Sequence, residues 1–315
     1  MTEFDAILED IRTNPADDLP RLALADWLME QDDPDARSRG EFIHARCRAA
    51  SLPPRDPERA ALQYRAEQLR DQHEIVWLGG LAEHLDSWDF ERGMIVAGVS
   101  SRFALSGPVK RLATAPDWKW VIGLRGLDLS SAAVAILVTR RILSTVTSLD
   151  LRDCEVREQG ACGFSQSAHL SRLVALDLGY TRLGIEGFLD LLESPRLPAL
   201  RTLLVDSNGI SADGVKALAE SPDLPRLECL DLSRNPIEDK GVIALARSSH
   251  HACLRELRLS SCGIRNRGGI ALATSTALAN LTLLDLRDNP LDEATRTELR
   301  DRFGERVLLE SDNEN

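Results

Sequence analysis

From Leu149 onward, leucines alternate with polar residues in short bursts that return every 27 residues. The pairs are Leu149 and Leu151, Leu176 and Leu178, Leu203 and Val205, Leu230 and Leu232, Leu257 and Leu259, and Leu284 and Leu286. Five positions after each first leucine stand Cys154, Thr181, Asn208, Asn235, Cys262 and Asn289, and two further on an aliphatic: Val156, Leu183, Ile210, Ile237, Ile264 and Leu291. Glycine then recurs in the same frame at Gly160, Gly187, Gly214, Gly241 and Gly268, and serine at Ser167, Ser194, Ser221, Ser248 and Ser275. A fixed period of this length is the signature of a stacked repeat. Alternation predicts a short strand with its leucines turned into the core. The alanine- and leucine-rich run after each glycine, as in Gly214 to Ser221, predicts about two turns of helix.

Between strand and helix, a small polar side chain can satisfy backbone groups left bare as the chain leaves the sheet, so Cys154, Thr181, Asn208, Asn235, Cys262 and Asn289 are expected to form a structural ladder. Helices about 10 Å wide stacked on strands about 4.8 Å apart bend the array, with strands on the concave side. Segments such as LECLDLSRNPIEDKGVIALARSS resemble the ribonuclease-inhibitor class of leucine-rich repeats over residues 146 to 295. The resemblance implies an α/β horseshoe with parallel strands on the concave face and helices on the convex one. Leu124, Leu127 and Leu129 are expected to open it as a shortened unit, the step from Leu127 to Leu149 being 22 residues. Asp292 to Phe303 drops the glycine and reads as a closing helix, and 309–315 as a flexible tail.

The front of the chain has another rhythm. Phe4, Ile7, Leu8 and Ile11 recur at helical spacing, Asn14-Pro15 ends that helix, and Asp17 or Asp18 with Pro20 starts a second. This stretch, with Gly40-Glu41-Phe42-Ile43 after it, resembles a bacterial module called the repeat-companion domain, found ahead of repeat arrays. Asp56 to Leu81 reads as a further helix ending at Gly79-Gly80, and Trp88 to Gly93 with Met94-Ile95-Val96 as a strand leading toward the repeats. The expected organisation is a helical module over 1–80, a transition segment over 81–120 and repeats over 121–308.

Charge and cysteine content narrow the setting. The net charge is −12, and residues 1–105 carry 21 acids against 12 arginines. Such a balance repels phosphate backbones, so nucleic acid is a poor partner and a basic protein surface a better one. The six cysteines form no CxxC pair and no short secreted framework, and read as reduced thiols. The acidic MTEFDAILED start is unlike a signal peptide, and no apolar run reaches the roughly 18 residues that span a bilayer. A cytoplasmic monomer that does not engage membranes is expected. Only four of the basic residues are lysine, a bias attributed to base composition.

The concave face should show the residues that flank the strand leucines: Asp150, Arg152, Asp177, Leu204, Asp206, Asp231, Ser233, Arg258, Ser260, Asp285 and Arg287, with Tyr180 just beyond its strand. These are the expected partner-binding residues. The aspartates make a broken acidic stripe suited to a basic partner, or else belong to an L-D-L repeat consensus whose charge is structural. Leu204 and Tyr180 are better anchors than any one aspartate. His250-His251-x-Cys253 gathers zinc-type ligands, but its spacing matches no usual zinc pattern, and His251 fills the slot of Leu170, Leu197, Leu224 and Leu278, so no metal is expected. Asp26-Trp27 reads as core, with Arg21 and Asp26 as a local ion pair. No HExxH, GxSxG or Walker-type loop is present, and neither catalysis nor a cofactor is expected. The reading is a non-catalytic interaction scaffold. Its rivals are an adaptor that joins two partners, similar in architecture to F-box and repeat proteins but without their L-P-x-E opening, and a regulator of an enzyme, either an inhibitor or a GTPase activator using Arg152, Arg258 or Arg287.

Overall fold

The computed structural model describes residues 2–106, 109–193 and 197–310. The chain divides into two compact units, one running to Arg125 with Thr145–Thr147 added, the other formed by Gly126–Ser144 and the chain from Ser148.

The first unit begins with four helices: α1 (Glu3–Thr13), α2 (Leu19–Met29), α3 (Pro34–Ser51) and α4 (Pro57–Leu78). Each start is chemically specified. Thr2 forms a capping box with Asp5, whose N–H donates to the Thr2 hydroxyl while the Thr2 N–H donates to its carboxylate. Asp17 accepts from the Leu19 N–H at 2.9 Å, and Asp33 and Asp56 cap α3 and α4, each followed by proline. Gly40 lies inside α3, a helix that the sequence pattern did not disclose. The core gathers Leu8, Ile11, Leu24, Phe42, Ile43, Leu69, Trp77 and Phe90. Trp27 is only half-buried, tilted against Phe4 with its Nε1 donating to Glu3, and Asp26 is exposed. The expected Arg21–Asp26 pair is replaced: buried Arg21 donates to the Asp17 carbonyl and lies 4.0 Å from Asp18, since i and i+5 do not share a helix face.

The expected strand over Trp88–Val96 is a hairpin. β1 (Ser87–Glu91) pairs antiparallel with β2 (Met94–Ser100) through a two-residue turn in which Arg92 (φ 47°) and Gly93 (φ 90°) are both left-handed. That is the primed turn whose twist matches the strands, and its first position here holds an arginine rather than the asparagine or glycine that would signal it. The short helices α5 (Ser101–Leu105) and α6 (Val109–Leu112) and the strand β3 (Val121–Leu127) follow.

In the second unit, α7 (Ser131–Val138) leads into an alternation: β4 (Ser148–Asp150), α8 (Arg157–Gln166), β5 (Ala175–Asp177), α9 (Gly184–Leu192), β6 (Thr202–Leu204), α10 (Ala212–Glu220), β7 (Cys229–Asp231), α11 (Glu238–Ala246), β8 (Glu256–Arg258), α12 (Asn266–Ala273) and β9 (Leu283–Asp285). The strands are parallel and aligned leucine on leucine, from Leu149 beside Leu176 through to Leu257 beside Leu284. Each places one buried residue between two half-buried ones, except that Asp285 is buried as well. After the closing helix α13 (Glu293–Phe303), a two-residue strand β10 (Val307–Leu308) extends the sheet beside β9. Leu309 is buried and Glu310 takes an ion pair from Arg300 at 2.6 Å, so the chain stays held through Glu310; Ser311–Asn315 of the expected tail lie outside the described residues.

The opening unit has a different frame from the expected one. Leu129, not a polar residue, fills the ladder position, its N–H donating to Cys154 Sγ at 3.5 Å, and Asp128 carries the left-handed φ found 25 residues later at Asp153. The inward pair is therefore Leu124 and Gly126, with Leu127 half-buried. A Cβ on Gly126 would stand 2.7 Å from Cys154 Sγ, so this slot has no room for a leucine.

Two ladders hold the repeats together. Buried Asn235 accepts from the N–H groups of Asn208 (3.0 Å) and Ile210 (2.9 Å) and donates to the carbonyls of Val205 and Leu232. Asn208 and Asn289 repeat the arrangement. On the helix side the serine hydroxyls of Ser167, Ser248 and Ser275 donate to Val138, Ala219 and Ala246, carbonyls 29 residues back; Ser194 lies outside the described residues. His251, in its leucine slot, is buried with Nε2 against the Leu218 carbonyl at 2.8 Å.

Two stability measurements test this account. Asn235→Ala removes an oxygen that serves two buried N–H groups, and should cost about 3 kcal/mol in denaturant unfolding, while Cys262→Asn, which installs the side chain used at the neighbouring rungs, should gain about 1 kcal/mol by supplying an oxygen there. An Asn235→Ala change without loss of stability, or a Cys262→Asn change that destabilises, would refute the ladder. Burial pushes His251 below the usual imidazole value of 6.5, so the unfolded chain binds the proton more readily and stability falls as pH drops below that value. His251→Leu should flatten that decline between pH 7.5 and 5 in urea melts; parallel curves would contradict it.

Candidate binding face

The solvent side of the parallel strands is built from three residues per repeat: one before the inward leucine, one after it, and one beyond the second inward position. In the middle row stand Asp150, Asp177, Leu204, Asp231, Arg258 and Asp285, and in the third Arg152, Gly179, Asp206, Ser233, Ser260 and Arg287.

The aspartates of the middle row have a local task. Asp150, Asp177, Asp231 and Asp285 each accept the N–H two residues on, from Arg152, Gly179, Ser233 and Arg287, at 2.8–3.1 Å. A short carboxylate bonding its own backbone at a strand end is Asx-turn chemistry, and it accounts for the recurring L-D-L. Their charge is partly answered from within the face. Arg152 forks onto buried Asp206 at 2.9 Å through both nitrogens and reaches Asp177 at 3.5 Å. Arg287 pairs with Asp285 at 2.7 Å, and Arg258 with Glu256 at 2.7 Å. The acidic stripe is thus partly neutralised, at Asp177, Asp206 and Asp285, with Asp206 and Asp285 buried and Asp150, Asp177 and Asp231 half-buried. Burial raises the carboxyl groups of Asp177 and Asp231; the Gly179 N–H and Arg152 pull Asp177 back.

Immediately past the third row, Asp153, Tyr180, Ser207, Arg234, Ser261 and Asp288 all take a left-handed φ between 54° and 62°. None is glycine, which is why the sequence does not announce this turn. It leaves Asp153, Tyr180, Arg234, Ser261 and Asp288 exposed. Tyr180 is 39% exposed, its ring lies 5.1 Å from the Arg152 guanidinium, and its hydroxyl meets Arg234, two repeats on. The Ser207 hydroxyl and Arg234 together lower the Tyr180 phenol from its usual value. Arg234 and Ser207 belong to this cluster although neither flanks a strand leucine.

The face holds no reactive thiolate. Burial raises Cys229 and Cys154, and pushes Cys262 up to about 12. Among the described residues no three His, Cys, Asp or Glu side chains come together as a metal site, and no helix is long and apolar enough to cross a membrane. A shallow groove of 830 Å³ near the N-termini of α7, α8 and α9 carries Arg157 and Arg182, both paired with Glu155.

Against known sequences, the family described as Leucine Rich repeat matches residues 197–219, 225–246 and 250–273. No curated protein matches the chain. Among solved structures, the tropomodulin C-terminal domain of Caenorhabditis elegans is 14% identical, covering 46% of this chain and 90% of that one, with a TM-score of 0.35. An internalin of Listeria monocytogenes is 17% identical over 61% of this chain and 67% of its own, with a TM-score of 0.31. The TLR13–ssRNA13 complex is 19% identical over 61% of this chain and 36% of its own, with a TM-score of 0.26. The fold is a leucine-rich repeat array of parallel strands and helices, preceded by a helical region.

Proposed function

We propose that the chain is a non-catalytic scaffold that binds a protein partner through the strand side of its repeats. The observation that carries this reading is Leu204, a half-buried leucine in the row otherwise held by charged residues, with exposed Tyr180 braced between two arginines nearby in the repeat frame. An apolar anchor surrounded by satisfied ion pairs is the anatomy of an interface centre, where a rigid aromatic contributes most and paired charges set register. The partner is a protein with basic groups, neither nucleic acid nor membrane, and the scaffold acts as a cytoplasmic monomer. Binding centres on Leu204 and Tyr180, with Asp150, Arg152, Asp177, Asp206, Asp231, Ser233, Arg258, Ser260, Asp285 and Arg287 around them.

An adaptor is the second reading, favoured by apolar side chains on the helical module: Leu19 is 71% exposed, Tyr64 64%, Ile75 59% and Val76 57%. The GTPase-activator reading draws no such support, since Arg152, Arg258 and Arg287 are each committed to a carboxylate.

Affinity capture from host lysate tests both. A Leu204→Glu, Asp231→Arg variant, shown by circular dichroism to fold, should lose its specific partner by about thirtyfold, the effect of removing an interface anchor. Loss through Leu19→Glu, Val76→Glu instead, with the repeat variant unchanged, would move the binding site to the helical module.

A further inference from the structure

In the third row of the face, Gly179 stands where the other repeats carry Arg152, Asp206, Ser233, Ser260 and Arg287. Its φ is not left-handed, so the backbone does not call for glycine there. Space does. A Cβ at Gly179 would stand 2.6 Å from Asp206 Oδ1 and overlap Arg152 Nη1. Arg152 lies across this gap, reaching from its own repeat to the one after next. Both its terminal nitrogens meet Asp206 at 2.9 Å, Asp177 is 3.5 Å away, and the Tyr180 ring lies 5.1 Å from the guanidinium carbon.

The two halves of this contact differ in exposure. The Asp206 side chain is 9% exposed, whereas that of Arg152 is 38% exposed. The receiving half is built into the fold; the occupying half is a long side chain laid over it from solvent. Planar bidentate geometry suits guanidinium and not ammonium.

We propose that Asp206, Asp177, Gly179 and Tyr180 form a guanidinium pocket that Arg152 fills in the free chain and that an arginine of the bound protein takes over. This rests on the strand side being the binding face. Exchange of one guanidinium for another keeps Asp206 paired throughout, and so avoids the cost of stripping a buried carboxylate. It also sets a specificity: a partner must bring arginine, and lysine does not replace it.

The pocket is testable without the partner. Nα-acetyl-arginine amide is titrated by calorimetry against the full chain and the Arg152→Gln variant. If Arg152 fills the pocket nine-tenths of the time, emptying it should tighten the probe about tenfold. Nα-acetyl-lysine amide should bind neither protein, and adding Gly179→Ala to Arg152→Gln should abolish the arginine binding. A folded Arg152→Gln protein that binds the probe no tighter, that takes lysine equally, or that is indifferent to Gly179→Ala overturns the pocket. Should Arg152→Gln not fold, the Arg152 side-chain NMR signal of the full chain should shift as the probe is added, and a signal unmoved at saturation overturns it equally. The captured partner separates this from the reading of the face. Capture abolished by Leu204→Glu yet unaffected by saturating probe removes the pocket and leaves the face, whereas capture indifferent to both removes the face.

Discussion

A strand of three residues cannot satisfy its own ends, and in this chain a buried carboxamide does so for two repeats at once. Asn235 closes the N–H groups of Asn208 and Ile210 on one side and two carbonyls on the other, and its neighbours continue the pattern. Buried backbone groups have to be paired, so each rung fixes how far the chain travels before the next strand begins. The parallel register, the inward leucines and the helix-side serine contacts all depend on that step being constant. Where the step changes, at the 25-residue opening unit, the rung is Leu129 and the ladder ends there on a thiol.

The same constraint shapes the exposed side. A chain that leaves a strand abruptly must turn, and the turn is made by a left-handed residue, in four of the six repeats just after an N–H that an aspartate two positions earlier accepts. The L-D-L aspartates therefore belong to the backbone before they belong to any surface. With that task fulfilled, what distinguishes one repeat from the next is what fills the remaining positions: a leucine at 204, a glycine at 179, a tyrosine at 180. Gly179 opens a gap that Arg152 crosses, and Tyr180 projects because its backbone is turned outward. Departures from the repeat, rather than the repeat itself, give the face its individuality.

The period, the strand positions and inward leucines from Leu149 onward, and the helix starts at Asp17-Asp18 with Pro20 and at Asp56 were legible in the sequence, because each is a local rule: alternation for a strand, a cap for a helix, a fixed step for a repeat. So was the slot of His251, identified as a leucine position and found buried. Tertiary structure decided the rest. It made a hairpin of Ser87–Ser100 through an arginine in a turn that glycine usually marks, shifted the first unit to Leu124 and Gly126 because Cys154 occupies the room a leucine would need, and gave Arg21 to Asp18. It also neutralised part of an apparent acidic stripe through ion pairs, since Arg152 and Asp206 are 54 residues apart and meet only when successive repeats are stacked. Sequence records what a residue does for its own turn of chain; which charges cancel, and which side chains a missing Cβ lets through, are set by neighbours that only the folded repeat brings together.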